Sequence, residues 1–505
     1  MLSITSPVAH PPCPSPFNLA EYVLHAGRQT PDKLALAIVS PTGAERWSFE
    51  RLSTAVEGVA AGLRDKGLPA GARILLRLGN TVDFPIAFLG AIAAGLVPVP
   101  TSAQLTGPEI TKIADQVKPS LVIASDGIAL PDGNTPILTT KDLEGMFELP
   151  SAGFEMGDPE RPAYIVFTSG SSGQPRGVIH AHRTIWARRM MWDGWYGLLA
   201  SDRVLHAGAF NWTYTLGTGL LDPWSRGATS LIPATGVDPQ ALPLLLKRFD
   251  ATIFAAAPGV YRQVLKNGIP ISLPKLRHGL SAGEKLPHAT AVAWTEATGK
   301  QVFEALGMSE CSTFISGSPS RPAPELASGY PQEGRKIAVL DDNNEAVPTN
   351  TPGNLAIHRS DPGLMLGYLD GGTDKFTGNW FVTGDTVQMA DDYAVSYLGR
   401  DDDQMNAGGF RVSPIEVEQT LGKHSAIAEV AVTEVQVKAD ASVIAAFYTG
   451  EEQDSATLAD YAAGVLARYK QPRIFIHVPS LPKGGNGKIN RRQLRQEYEA
   501  NLGQA

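Results

Sequence analysis

Cysteine is nearly absent. Cys13 and Cys311 are the only two in 505 residues, too few for a disulfide framework or a thiolate metal cluster. The expected setting is a reducing compartment, the cytoplasm. Long apolar runs are also missing: the most apolar stretch, FPIAFLGAIAAGLVPVP at residues 84–100, is short and interrupted by glycine and proline, so it reads as a buried helix and strand rather than a membrane span. The opening MLSITSPVAHPPCPSP has neither a basic nor an apolar section of a secretory leader, and its prolines predict an extended arm. Positive charge is in deficit, with 43 Lys and Arg against 51 Asp and Glu and a net charge of −8, which argues against a nucleic-acid surface. Neither a tandem repeat nor a low-complexity tract interrupts the chain.

What remains is ordinary globular composition, 43% hydrophobic and 19% charged, in a chain too long for one hydrophobic core. Residues 18–38 read as an amphipathic helix and a strand. Alternating helical and β-branched runs continue, with strands expected at 73–78, 120–124, 230–232 and 251–257 and helices from about Thr184 and near 239–249. Past Gly353 the texture shifts to short strands and turns. Ser413-Pro414-Ile415-Glu416 then offers an N-cap, a proline at the first helical position and a glutamate at the third. Strands at 427–432 and 443–448, a helix near 458–469 and a basic turn complete a smaller α+β unit of about 100 residues.

The run TSGSSGQPRG at residues 168–177 follows the apolar AYIVF at 163–167, so a buried strand feeds a loop suited to phosphate. Gly170, Gly173 and Gly177 let backbone N–H groups approach an anion, Thr168, Ser169, Ser171 and Ser172 add hydroxyls, and Arg176 adds charge. The Gly-Lys-Ser/Thr of a Walker loop is missing.

This loop resembles the phosphate-binding signature of the adenylate-forming superfamily, which includes the acyl-CoA synthetases, aryl-CoA ligases, luciferases and peptide-synthetase adenylation domains. Ser172 and Arg176 stand where the usual form has Thr and Lys. WFVTGD at 380–385, YLGRDDDQMNAGGFRVSPIEVE at 397–418 and PKGGNGKINRR at 482–492 resemble further family motifs in the family's order. The resemblance implies an α/β protein with a large, multi-lobed N-terminal domain over 1–399 that binds ATP and acid, a hinge at 400–402 around Asp402, and a mobile α+β lid over 403–505. It implies ATP, Mg²⁺ and CoA as cofactor and co-substrates, and conversion of a carboxylic acid through an acyl-adenylate to acyl-CoA, AMP and pyrophosphate. By the same resemblance Ser309 meets phosphate, Glu310 holds Mg²⁺, Gly307 and Met308 border the nucleotide, Asp385 and Arg400 reach the ribose, and Arg411 approaches phosphate. Lys488 is the catalytic lysine, and Gly408 and Gly409 flank the CoA channel. Leu306 departs from the family's aromatic residue against adenine.

The segment HAGAFNWTYTLGTG at 206–219 lies where the family places its acyl pocket. Trp212 and Tyr214 are the best wall candidates, with Ala282, Gly283 and Ala305 among the other walls. Asn211 follows Phe210 where amino-acid-activating relatives carry Asp, which disfavours an α-amino acid. Only 17 residues follow Lys488, so a diffusible thiol, CoA, is the expected acceptor, with loading of a separate carrier protein as the alternative. An aromatic, cyclic or medium-chain acid is expected. Oligomeric state, monomer or homodimer, is left open.

Overall fold

The computed structural model describes residues 1–5, 10–168, 175–266, 268, 270–400, 405–407, 410–438, 441–483 and 489–502. Its large domain contains two sheets with parallel strands whose carboxyl ends face one cleft. The smaller runs in the order Val97–Pro100, Arg73–Arg77, Leu121–Ala124, Ile137–Thr139, all parallel. The larger has nine strands. Its parallel centre runs Val302–Met308, His278–Ala282, Ile253–Ala256, Arg203–His206, Thr229–Pro233, Leu34–Val39. Antiparallel strands close both edges. In such sheets the loops leaving the strands' carboxyl ends form the ligand crevice. Here the chain following Arg77, Pro100, His206, Pro233, Ala256, Ala282 and Met308 contributes lining to a cleft of about 2280 Å³. That exceeds the few hundred to 1,000 Å³ of a typical single-ligand pocket, so more than one substrate can be accommodated.

The sequence periods explain these elements. Residues 84–100 form the buried helix Asp83–Ala93 and the strand Val97–Pro100, apolar on every side because sheet and helices cover them. The helix expected from Thr184 is only one turn, Thr184–Ala187. A wider turn follows at Trp192–Tyr196, ended by Gly197 at φ +56°, while Arg188 between them is drawn into a buried pair with Asp222. The phosphate-loop strand proves to be one arm of a hairpin: Pro162–Thr168 pairs antiparallel with Arg176–Ala181, and Thr168 faces Arg176. A third sheet joins Ile337–Leu340, Pro352–His358, Trp380–Met389 and Val395–Arg400.

The small domain is a three-stranded sheet, Ile427–Lys438, Ala441–Gly450 and Ile474–His477, covered on both faces. Val430 and Val432 join one core with Val417 and Leu458, whereas Ala431 and Val435 join another with Leu481 and Leu494. Ser413 caps the Pro414–Leu421 helix, accepting from the Glu416 N–H. The expected basic turn falls at 484–488, outside the described residues, and the helix Arg491–Leu502 follows it, tied to the first helix of this domain by Arg491 and Glu418 at 2.7 Å.

Candidate active site

Ser309 and Glu310 occupy the turn between the antiparallel strands Val302–Met308 and Ser312–Ser316, so they belong to a hairpin and not to a helix start. The turn is braced from several sides. Met365 N–H donates to the Glu310 carbonyl at 2.8 Å, and the Tyr368 hydroxyl donates to Glu310 Oε1 at 2.8 Å. Burial, reinforced by that carboxylate, pushes the Tyr368 phenol above its usual range, so it remains a donor. His180 Nε2 lies 2.7 Å from the Ser309 carbonyl. Burial lowers this imidazole to about 4; at neutral pH it is therefore uncharged, with the proton on Nε2. Arg188, paired with Asp222 at 2.6 Å, also donates to Ser312 Oγ, and Ser312 is held at φ +62°. Glu310 is 7% exposed and lines the cleft.

Thr383, Gly384 and Asp385 lie inside the Trp380–Met389 strand. The irregularity that marks a turn in sequence is a local break in the ladder beside Thr386, with Gly384 at φ +78°, a conformation glycine adopts without strain. Asp385 faces Arg400 on the neighbouring strand, and their charged groups are 3.3 Å apart. One residue not singled out by the sequence supports them: Lys375 Nζ donates to the Thr383 carbonyl at 3.1 Å; Tyr397 lines the same cleft.

Arg176 reaches the cleft, but its guanidinium is engaged. It pairs with Asp374 at 2.6 Å and Asp370 at 3.0 Å, which hold it above its usual range. It also lies 3.7 Å over the Tyr368 ring. Thr168, Gly307 and Met308 line the cleft, and Gly177 sits in the second arm of the hairpin. Ser169, Gly170, Ser171, Ser172, Gly173, Asp402, Gly408, Gly409 and Lys488 lie outside the described residues, as does the side chain of Arg411, whose backbone belongs to the Phe410–Val412 strand. Ile489 and Arg491, just after Lys488, line the cleft.

Trp212, Tyr214, Ala282, Gly283 and Ala305 also line this cleft. The Trp212 and Tyr214 rings are perpendicular with centroids 5.2 Å apart, and the Tyr214 hydroxyl donates to the Leu280 carbonyl at 3.1 Å. Gly283, at φ +99°, brings its backbone under the indole, and a Cβ there would be 2.6 Å from Trp212. Asn80, which carries no motif, anchors this wall by bonding both the Gly208 carbonyl and the Phe210 N–H at 2.9 Å. Beneath it, His206 is fully buried and neither ring nitrogen has a hydrogen-bond partner among the described residues. Burial lowers its imidazole to about 3.

The AMP-binding enzyme family matches residues 23–369, and the C-terminal domain of AMP-binding enzymes matches 416–488. The chain belongs to the AMP-binding enzyme family. Human acyl-coenzyme A synthetase ACSM2A, mitochondrial, is 28% identical, covering 97% of this chain and 92% of the relative. Benzoate–CoA ligase of Thauera aromatica is 29% identical over 89% of this chain and 90% of its own. Among solved structures, the anthranilate CoA ligase AuaEII in complex with anthranoyl-AMP gives a TM-score of 0.86 at 28% identity, covering 97% of this chain and 99% of that one. A benzoate CoA ligase from Burkholderia xenovorans LB400 gives 0.83 at 27%, covering 95% and 100%. The protein is an AMP-forming acid–CoA ligase acting through an acyl-adenylate. No helix among the described residues is long and apolar enough to cross a membrane.

Proposed function

We propose that the acid activated is aromatic or compact and cyclic. The observation carrying this reading is the make-up of the proposed acid-binding wall: the perpendicular Trp212 and Tyr214 rings, the Gly283 backbone packed against the indole, and the small residues Ala282 and Ala305 lining the same cleft. Such a compact wall suits a flat ring, and its aromatic side chains add stacking to apolar burial. Relatives named for benzoate and anthranilate agree with it; the relatives named simply as acyl-coenzyme A synthetases leave room for a medium-chain acid.

In the same reading ATP lies between the hairpin at Thr168 and the Asp385–Arg400 pair. Asp385 and Arg400 take the ribose, the Thr168–Arg176 loop takes the β- and γ-phosphates, and Ser309 meets phosphate. Tyr397 is an aromatic available in the cleft where Leu306 replaces the family's ring. Mg²⁺ fits the donor set: Glu310 presents a hard carboxylate to the cleft with one oxygen oriented by Tyr368, and one or two carboxylates plus phosphates is the usual magnesium arrangement. When bound, Mg²⁺ neutralises charge on the phosphates. Lys488 steers the acid's carboxylate toward the α-phosphate, and Gly408 and Gly409 leave room for the CoA thiol. The hinge lies at 400–402, with Asp402 as its pivot, and the lid over 403–505 presents each face in turn. CoA is the acceptor, and the two cysteines, neither in a disulfide, favour the cytoplasm.

The test is pyrophosphate release with ATP and Mg²⁺ across benzoate, substituted benzoates, cyclohexane carboxylate and straight-chain acids of increasing length. Highest kcat/KM among the ring acids is expected. A maximum at a straight-chain acid would overturn the acid class while leaving the ligase activity standing.

A further inference from the structure

A chain of four charges crosses the boundary between the two domains. Arg262, on the Pro258–Leu265 helix of the large domain, has Glu284 of the acid-pocket loop 3.9 Å from one nitrogen and ion-pairs through another with Glu429 on the Ile427–Lys438 strand of the small domain. Glu429 is in turn held by Lys483 at 2.9 and 3.1 Å. Lys483 bridges to Ile489, so it forms the base of the segment that carries Lys488. Arg262, Glu284 and Glu429 line the cleft, as does Ile489.

The charges alternate along this chain, negative, positive, negative, positive, so each inner member stabilises both neighbours. Arg262 and Glu429 are about three-quarters buried, at 25% and 21% side-chain exposure, where solvent screens an ion pair less than at an open surface. Arginine also suits the place, because its fork serves two carboxylates in different directions. A second contact between the domains, Lys423 with Glu325 at 3.5 Å, is more exposed and is expected to contribute little.

We propose that Arg262 is a positioning residue for adenylate formation: through Glu429 and Lys483 it fixes the base of the Lys488 segment against the loop that walls the acid pocket. Arg262 does not touch the reacting atoms. It sets how often the small domain sits where Lys488 can act, and it gives no advantage to the thiol step. This rests on the role given to Lys488 above.

The test separates the two half-reactions in the full-length enzyme. Arg262→Ala should lower pyrophosphate exchange about tenfold, the scale of a lost partly buried pair, through kcat more than through KM for the acid. Conversion of supplied benzoyl-adenylate to benzoyl-CoA should stay within about twofold. Arg262→Lys, which keeps the charge but not the fork, should recover part of the exchange rate. Because the pair acts as a unit, Arg262→Ala combined with Glu429→Ala should be no worse than the poorer single variant. A readout needing no acid accompanies these: amide hydrogen exchange in Arg262→Ala should rise in the helix 258–265 and in residues 423–430 with the remainder unchanged. Equal loss of both half-reactions, additive losses in the double variant, or unchanged protection in those two segments would each overturn the proposal. If exchange protection falls as expected while Lys488→Ala leaves adenylation intact, the docking contact stands and the role of Lys488 fails.

Discussion

The proposed nucleotide-binding and acid-binding parts of the cleft are built from different materials. Among the described residues at the proposed nucleotide end, the functional groups are held by polar partners: Glu310 by Tyr368 and Met365, Ser309 by His180, Asp385 by Arg400 and Thr383. At the proposed acid end the walls are a glycine, two alanines and two aromatic rings, supported by a backbone-bonded asparagine and an imidazole with no hydrogen-bond partner among the described residues. The first construction suits a ligand whose charges and hydroxyls never change. The second suits a ligand recognised by shape, where a single volume change retunes selectivity by only about 1–3 kcal/mol. Among the described residues, polar bracing is therefore concentrated where charge must be placed.

The largest effect should come from the nucleotide end. Lys488→Ala should cost adenylation on the order of 10²–10³-fold, as for removal of one preorganised charge donor, while supplied acyl-adenylate is still converted to acyl-CoA; Gly409→Leu should show the opposite pattern, measured as pyrophosphate exchange against thioester formation. Equal losses in both variants would remove the division of labour in the small domain. Glu310→Gln should raise the Mg²⁺ concentration needed for half-maximal pyrophosphate release by about tenfold, and Tyr368→Phe should shift it in the same direction by less; a magnesium titration of each variant decides whether the polar bracing matters. At the acid end, Trp212→Ala should admit bulkier acids, with relative kcat/KM for large over small acids rising by roughly 10-fold. An unchanged acid profile in a destabilised protein would make Trp212 a core residue only.

The smallest effect is one of stability. The His206 imidazole is lowered by burial to about 3, from the ordinary 6.5. The unfolded chain takes up this proton below pH 6.5 and the folded chain does not, so the group's contribution is fully present above pH 6.5 and is lost progressively as pH falls toward 3. His206→Leu removes the titration without breaking a hydrogen bond. It should leave stability at pH 7 within about 1 kcal/mol of the parent and make it fall less between pH 6.5 and 4, as read from denaturant midpoints. An unchanged slope would assign the acid sensitivity to other groups.

The contrast between the two ends also governs what could be read beforehand. The loop after Phe167 stood out by its glycines and hydroxyls, whereas Thr383-Gly384-Asp385 and Ser309-Glu310 stood out through their resemblance to family motifs in the family's order. Tyr368, His180 and Lys375 did not, since each acts across the fold on a partner 8 to 129 positions away and no local pattern announces such a contact. Arg176 illustrates the reverse: its charge was legible, but its engagement with Asp370 and Asp374, 194 and 198 positions on, was not. The short helix at Thr184 differs from its periodicity because Arg188 is pulled into the core by Asp222, a tertiary demand that outweighs helical propensity.

The sequence by itself determined the alternation of helices and strands and the smaller α+β unit toward the C-terminal end, because apolar period and turn chemistry act within a few residues of chain, and the family motifs were legible in their order. Tertiary structure decided that two parallel sheets turn their carboxyl ends toward one cleft, that Gly283 lies beneath Trp212, and that Arg262 meets Glu429 across the domain boundary. Those arrangements depend on the close packing of segments distant in the chain, where burial and charge pairing are settled by the whole fold.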